Sequence, residues 1–135
     1  MKLLLDTHAL LWWLADDDRL GQQARALIGD AGNDVFVSVA SLWEAVVKAR
    51  VGKLEADIGA IVDAIEREGF ALLGIGTGHL LALAGLPVHH RDPFDHLLIA
   101  QAIAEDAAFV SADSNASAYP VRVVACSDPP PFAGR

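Results

Sequence analysis

His89-His90-Arg91-Asp92-Pro93-Phe94-Asp95-His96-Leu97-Leu98-Ile99-Ala100-Gln101-Ala102 is the stretch that decides how the rest of the chain is read. Asp92 stands where a helix N-cap belongs, and Pro93 takes the first helical position, where a missing N–H costs nothing. Asp95 falls in the first turn, on nearly the face of Asp92. Leu98, Ile99, Ala102 and Ile103 recur at helical spacing and need a core to face, in a helix running to about Asp106. The stretch therefore holds carboxylates at the positive end of a buried helix. Helix capping alone explains such a pair, and so does a shared site; the other acids separate the two readings.

Lys2 to Leu5 is apolar without alternation, the pattern of a strand covered on both faces, as in a parallel sheet. Asp6 then lies at the strand's carboxyl end, where open α/β sheets place ligands. Thr7 is the expected cap of a helix over Ala9 to Leu14, whose Leu10, Leu11, Trp12, Trp13 and Leu14 leave hardly a polar face. A second helix spans Leu20 to Ile28, and Val35-Phe36-Val37 is the second strand. Ser38 or Ser41 starts a helix with an apolar stripe through Leu42, Ala45, Val46 and Ala49. Glu44 points away from that stripe with Lys48 four residues on, which is either a surface ion pair or, with Trp43 and Val47 beside it, a partly enclosed acid.

Asp57 caps an amphipathic helix that Gly69 ends, Phe70 to Leu73 is a third strand, and Thr77 to Ala84 a short helix. Ala108 to Ser111 is the fourth strand, with Asp113 just past its end, and Arg122-Val123-Val124 the last. Strands alternating with helices predict an α/β sandwich whose central sheet is mostly parallel and flanked by helices. In it, Asp6, Glu44, Asp95 and Asp113 all come to one edge of the sheet. Residues 1–126 read as one domain and 127–135, with three consecutive prolines, as a loose tail.

The 135 residues carry a net charge of −8, which argues against a broad basic groove for nucleic acid. An anionic substrate must then be met by bound cations and a few local bases. Lys48, Arg50 and Lys53 are the densest basic cluster, which either holds a phosphate backbone or is an ordinary solvated helix end. Cys126 is the one cysteine, so there is no internal disulfide and a reducing cytoplasm suits the chain. Asp6 and His8 interrupt the opening apolar run too early for a signal peptide, and Gly74, Gly76, Gly78, Gly85 and Pro87 break Gly69 to Val88 too often for a membrane span.

Carboxylates gathered at one edge repel each other, and a divalent cation removes that penalty. All-oxygen ligation favours Mg²⁺ or Mn²⁺, which orient and activate water for attack on a phosphodiester. A phosphatase with Asp6 as nucleophile would need a second Asp at position 8, which is His8. A non-catalytic module, whose acids only cap helices, is the other alternative. His8, His79, His89, His90 and His96 lack the spacing of a zinc site.

Leu3-Leu4-Leu5-Asp6-Thr7-His8-Ala9-Leu10-Leu11-Trp12, Ser41-Leu42-Trp43-Glu44 and Leu86 to Asp95 with its Leu97-Leu98-Ile99-Ala100-Gln101-Ala102 continuation resemble the PIN-domain ribonucleases, most of all the VapC-type toxins of toxin–antitoxin modules. The resemblance runs over roughly residues 1–125. It implies a PIN-like three-layer sandwich, Mg²⁺- or Mn²⁺-dependent endoribonuclease activity, homodimers or toxin–antitoxin hetero-oligomers, and a cognate antitoxin that covers the site. It also implies that Asp6, Glu44, Asp95 and Asp113 are the catalytic and metal-binding acids, with Asp92 as a candidate ligand. Thr7, His90, Arg91 and Lys48 are candidate RNA contacts, and Thr7 either hydrogen-bonds the metal site or merely caps its helix. His96 stands where the family usually carries Arg, and the residues after Asp113 are small and uncharged where relatives are often charged. The antitoxin is expected to be basic where it meets the acids and apolar against Trp12 and Trp13.

Overall fold

Lys2–Leu5 forms the central strand, β1, and its position explains its unbroken apolarity. In the computed structural model, which describes residues 1–89 and 92–129, Leu3, Leu4 and Leu5 are all buried. β1 pairs in parallel with β2 (Asp34–Ser38) on one side and β4 (Ala108–Ser111) on the other, so that Leu4 lies between Phe36 and Phe109. β3 (Ala71–Leu73) and β5 (Val123–Ala125) complete a five-stranded sheet of order β3-β2-β1-β4-β5, parallel throughout. All carboxyl ends therefore open on the same edge.

Helices cover both faces. Leu3, Leu5, Val35, Val37 and Val110 pack with residues of α1 (Thr7–Leu14), α2 (Gln22–Gly29) and α4 (Ile58–Arg67), namely Leu10, Ala24, Ile28 and Ile65. On the other face, Leu4 and Phe109 meet Leu97, Leu98, Ile99 and Ala102 of α6 (Pro93–Ala104), with Ala40 of α3 (Val39–Arg50) beside them. α5 (Thr77–Ala84) lies against α6. The result is the expected three-layer sandwich. Among the described residues no helix is long and apolar enough to cross a membrane.

Element ends follow local chemistry. Asp92 caps α6 by accepting from Phe94 N and Asp95 N at 3.0 and 3.4 Å, with Pro93 next, as the sequence dictates. Ser38, not Ser41, caps α3, accepting from Ala40 N at 3.0 Å. α2 begins at Gln22 and not at Leu20, because Leu20 is drawn into the core and Gly21 is the N-cap.

The cap of α2 comes from the far end of the chain. Asp128 accepts from Gln22 N and Gln23 N at 2.9 and 3.0 Å, and Gly21 N–H donates to Cys126 O at 2.6 Å. A Cβ on Gly21 would stand 2.7 Å from Asp128, so only glycine permits this approach. Asp128, placed in the loose tail by its proline-rich surroundings, is therefore tied down; residues 130–135 lie outside the described residues. The two N–H donors hold the Asp128 carboxyl below its usual range, so its contribution is present above about pH 4 and lost on acidification. Asp128→Ala is expected to lower the melting temperature at pH 7 by a few degrees, with faster amide exchange at Gln22 and Gln23. An unchanged melting curve would contradict this role.

Candidate active site

Asp6 sits where β1 ends, and three groups fix its carboxylate. Its Oδ1 accepts from Ala9 N at 2.7 Å, which makes Asp6, and not Thr7, the N-cap of α1. Its Oδ2 accepts from Ala112 N at 2.9 Å, just past the end of β4. Ser111 supplies a further side-chain hydrogen bond, and its hydroxyl in turn accepts from Asp113 N at 2.9 Å. Asp6 is buried to 3% exposure, and that burial raises its pKa against the donors and the nearby His8.

Thr7, freed from capping, has a different task. Its hydroxyl donates to Glu44 Oε1 at 2.6 Å across the α1–α3 contact. Lys48 Nζ meets Glu44 Oε2 at 2.7 Å, so both oxygens of a buried carboxylate are engaged. Glu44 is only 5% exposed. The surface ion pair that its spacing permits is in fact an enclosed one, with Lys48 as its lid.

Asp95 shows where the acids converge. Its carboxyl is pushed up to about 7, first by burial and then by the charges of Asp92, Asp6, Glu44 and Asp113, in that order. The α6 N-terminus, the β1 end, α3 and the segment after β4 thus aim their acids at one region. Asp92 and Asp113 do double duty as caps, Asp113 accepting from Asn115 N at 2.9 Å to start the 3-10 turn Ser114–Ala118. His90 and Arg91, expected beside these acids, lie outside the described residues.

The donor set decides what such a site accepts. The converging groups are oxygens, and among the described residues no donor reaches the Asp95 carboxylate. No three His, Cys, Asp or Glu among the described residues stand close enough to enclose an ion by themselves. That combination fits a hard divalent ion such as Mg²⁺, which keeps several waters and takes one or two carboxylates. Asp95 and Asp6 are the two with most to gain from a cation, since both are destabilised as anions. Ser41 Oγ, a turn ahead of Glu44 on the same helix, is the one buried side-chain atom among the described residues without a hydrogen-bond partner.

Several supports escape the sequence. Ser38 Oγ donates to Gln101 Oε1 at 2.5 Å, Gln101 Nε2 donates to Gly74 O at 3.2 Å, and His79 lies between Gly76 N at 3.0 Å and Glu105 Oε2 at 2.9 Å. This buried network ties α3 and α5 to α6 through short polar side chains that show no periodic signal. Ser111 carried one clue, a hydroxyl closing an apolar strand just before an acid. Of the tryptophans expected to face a partner, Trp13 packs on Phe70 of its own chain at 6.0 Å. Trp12 instead lines a groove of about 610 Å³ that opens beside Thr7 and Lys48, with Leu11, Leu54 and Ile61 in its walls.

The PIN-domain family model matches residues 3–121. No curated protein matches the sequence. Among solved structures, VapBC2 from Rickettsia felis, bound to a DNA fragment from their promoter, is similar with a TM-score of 0.72 and 16% identity, over 93% of this chain and 98% of that one. FitAcB from Neisseria gonorrhoeae has a TM-score of 0.62 at 18% identity, covering 90% and 95%. VapBC-1 from nontypeable Haemophilus influenzae has 0.63 at 14%, covering 93% and 98%. At such identities the likeness is one of fold. With nearly its whole length matched, the chain belongs to the PIN-domain family, whose members are in general nucleases that use divalent metal ions.

Proposed function

We propose that this chain is an Mg²⁺- or Mn²⁺-dependent endoribonuclease, the toxin of a toxin–antitoxin pair. The observation that carries the reading is Asp95, a half-buried carboxyl raised by Asp92, Asp6, Glu44 and Asp113 at the carboxyl edge of a parallel sheet. Asp6 and Asp95 are the residues that would hold a divalent ion, with Glu44, Asp113 and Asp92 around them. Such an ion supplies an activated water for in-line attack on a phosphodiester and positive charge for the leaving oxygen. Thr7 keeps Glu44 oriented, and Lys48 presents a cation at the mouth of the site, where an RNA phosphate would be drawn. His90 and Arg91 are assigned to the same substrate contact from their place in the sequence.

The antitoxin reading draws support from the groove at Trp12. Its apolar walls suit hydrophobic side chains, and its opening beside Thr7 and Lys48 lets a basic side chain continue toward the acids. A second copy of the chain is the proposed partner for α3, which exposes Val39, Trp43 and Val47, with Val51 just past its end.

The test is cleavage of a mixed RNA pool by purified, antitoxin-free protein, with Mg²⁺ or Mn²⁺, with EDTA, and beside Asp6→Asn. Discrete cuts that require both metal and Asp6 are expected. A folded chain that neither binds Mn²⁺ nor cuts RNA would replace this reading with a non-catalytic PIN-like module.

A further inference from the structure

The acidic site has two walls. One is the N-cap and first turn of α6, carrying Asp92 and Asp95. The other is the segment after β4, where Asp113 starts the 3-10 turn. Tyr119 follows that turn directly, and its N–H donates to Ala116 O at 3.1 Å. Its ring is buried in the core formed with α6. Its hydroxyl reaches the opposite wall twice: His89 N–H donates to it at 2.9 Å, and His96 Nε2 lies 3.1 Å away. The rings of His89 and His96 meet the phenol edge-on, with centroids 4.9 and 5.9 Å distant.

Core packing explains the ring of Tyr119 but not its oxygen. A phenylalanine would fill the same space without placing a hydroxyl where it must find partners. A phenol can accept from an amide and still share a hydrogen bond with a ring nitrogen, as the Tyr119 hydroxyl does with the His89 N–H and His96 Nε2. Of the described residues ahead of α6, Leu86 packs against the same core, while Pro87, Val88 and His89 are exposed and their side chains add no burial. We propose that the Tyr119 hydroxyl is a positioning group that fixes the Asp92–Asp95 wall against the Asp113 wall. His96 is the hydroxyl's contact on α6. The consequence for catalysis rests on the nuclease reading above.

Tyr119→Phe tests this with three readouts: Mn²⁺ affinity by electron paramagnetic resonance, amide exchange, and steady-state RNA cleavage. Expected are a several-fold weaker Mn²⁺ affinity and a kcat lowered roughly tenfold with KM nearly unchanged, the pattern of misplaced reacting groups. Faster exchange should be confined to residues 89–96, with the melting temperature little changed. His96→Gln, which still offers the phenol an acceptor, should keep more activity than His96→Ala. Tyr119→Phe with unaltered Mn²⁺ affinity and kcat would overturn the inference, and so would exchange accelerated throughout the core. If the unmodified chain neither binds Mn²⁺ nor cuts RNA, the nuclease reading fails and takes this inference with it. If it does both and Tyr119→Phe does so equally well, only the inference fails.

Discussion

Asp95→Asn is expected to cut RNA cleavage sharply while making the metal-free protein more stable. The two effects share one cause. At pH 8 the Asp95 carboxylate is an anion forced into a half-buried position facing four other acids, the arrangement that pushes its pKa to about 7. Asparagine keeps the shape and removes the charge. A rise of about three pKa units corresponds to roughly 4 kcal/mol, and discounting by half for solvent screening leaves about 2 kcal/mol of relieved strain. For a chain of this size that is a melting temperature higher by about 5–10 °C. Cleavage should fall by roughly 10²–10³-fold, the usual loss when a group that acts on transition-state charge is removed. Calorimetry in EDTA beside an RNA assay in Mg²⁺ checks both halves. An inactive variant no more stable than its parent would mean that Asp95 is not held against its neighbours' charge.

The metal-free parent should also become more stable as the solution is acidified from pH 8 to pH 5. Asp95 titrates near 7 when folded and near its ordinary 3.8 when unfolded. Between those values the native state binds a proton that the unfolded chain has released, so stability falls as pH rises through the window. Only the part of the shift between pH 5 and about 7 counts in this window, so with the same discount Asp95 alone contributes about 1 kcal/mol. Asp6, raised by burial, acts in the same direction. Asp17, held down to about 2 by Arg19, and Asp128 act in the opposite direction, but only in more acid solution. Millimolar Mg²⁺ or Mn²⁺ should flatten the slope, because an ion bound only to the folded, ionised site stabilises it most at high pH. Melting temperatures at pH 5 and 8, with metal and with EDTA, decide the matter; a metal-free protein most stable at pH 8 would refute it.

Local chemistry was legible and long-range chemistry was not. Asp92-Pro93 announced the start of α6, and the unbroken Lys2–Leu5 run announced a strand covered on both sides. Both signals are written within a few residues. Of the two tasks open to Thr7, a cap or a bond to the acids, the motif could not choose, because the cap of α1 is decided by where Asp6 lies after β1 and β4 pair, and that pairing spans most of the chain. The fixing of Asp128 on α2 depends likewise on a meeting across about a hundred positions. The Ser38–Gln101–His79–Glu105 network joins single residues of different elements, and no period marks such residues in advance. The list of acids could be read from motifs. The Ala112 N–H, Ser111 hydroxyl and Lys48 ammonium that make those acids tolerable could be found only in the fold.

The pairing of β1 with β4 also bears on how the protein is made. Asp6 is made about a hundred residues before Ala112, whose N–H its Oδ2 accepts, and β1 stays half-paired until Ala108–Ser111 arrives. Asp95 and Asp113 likewise follow Asp6 and Glu44 by long stretches of chain. A growing chain therefore carries β1, β2 and Glu44 without an assembled acidic centre until α6 and β4 have been made. Whatever chemistry that centre performs is withheld until those two elements dock on β1.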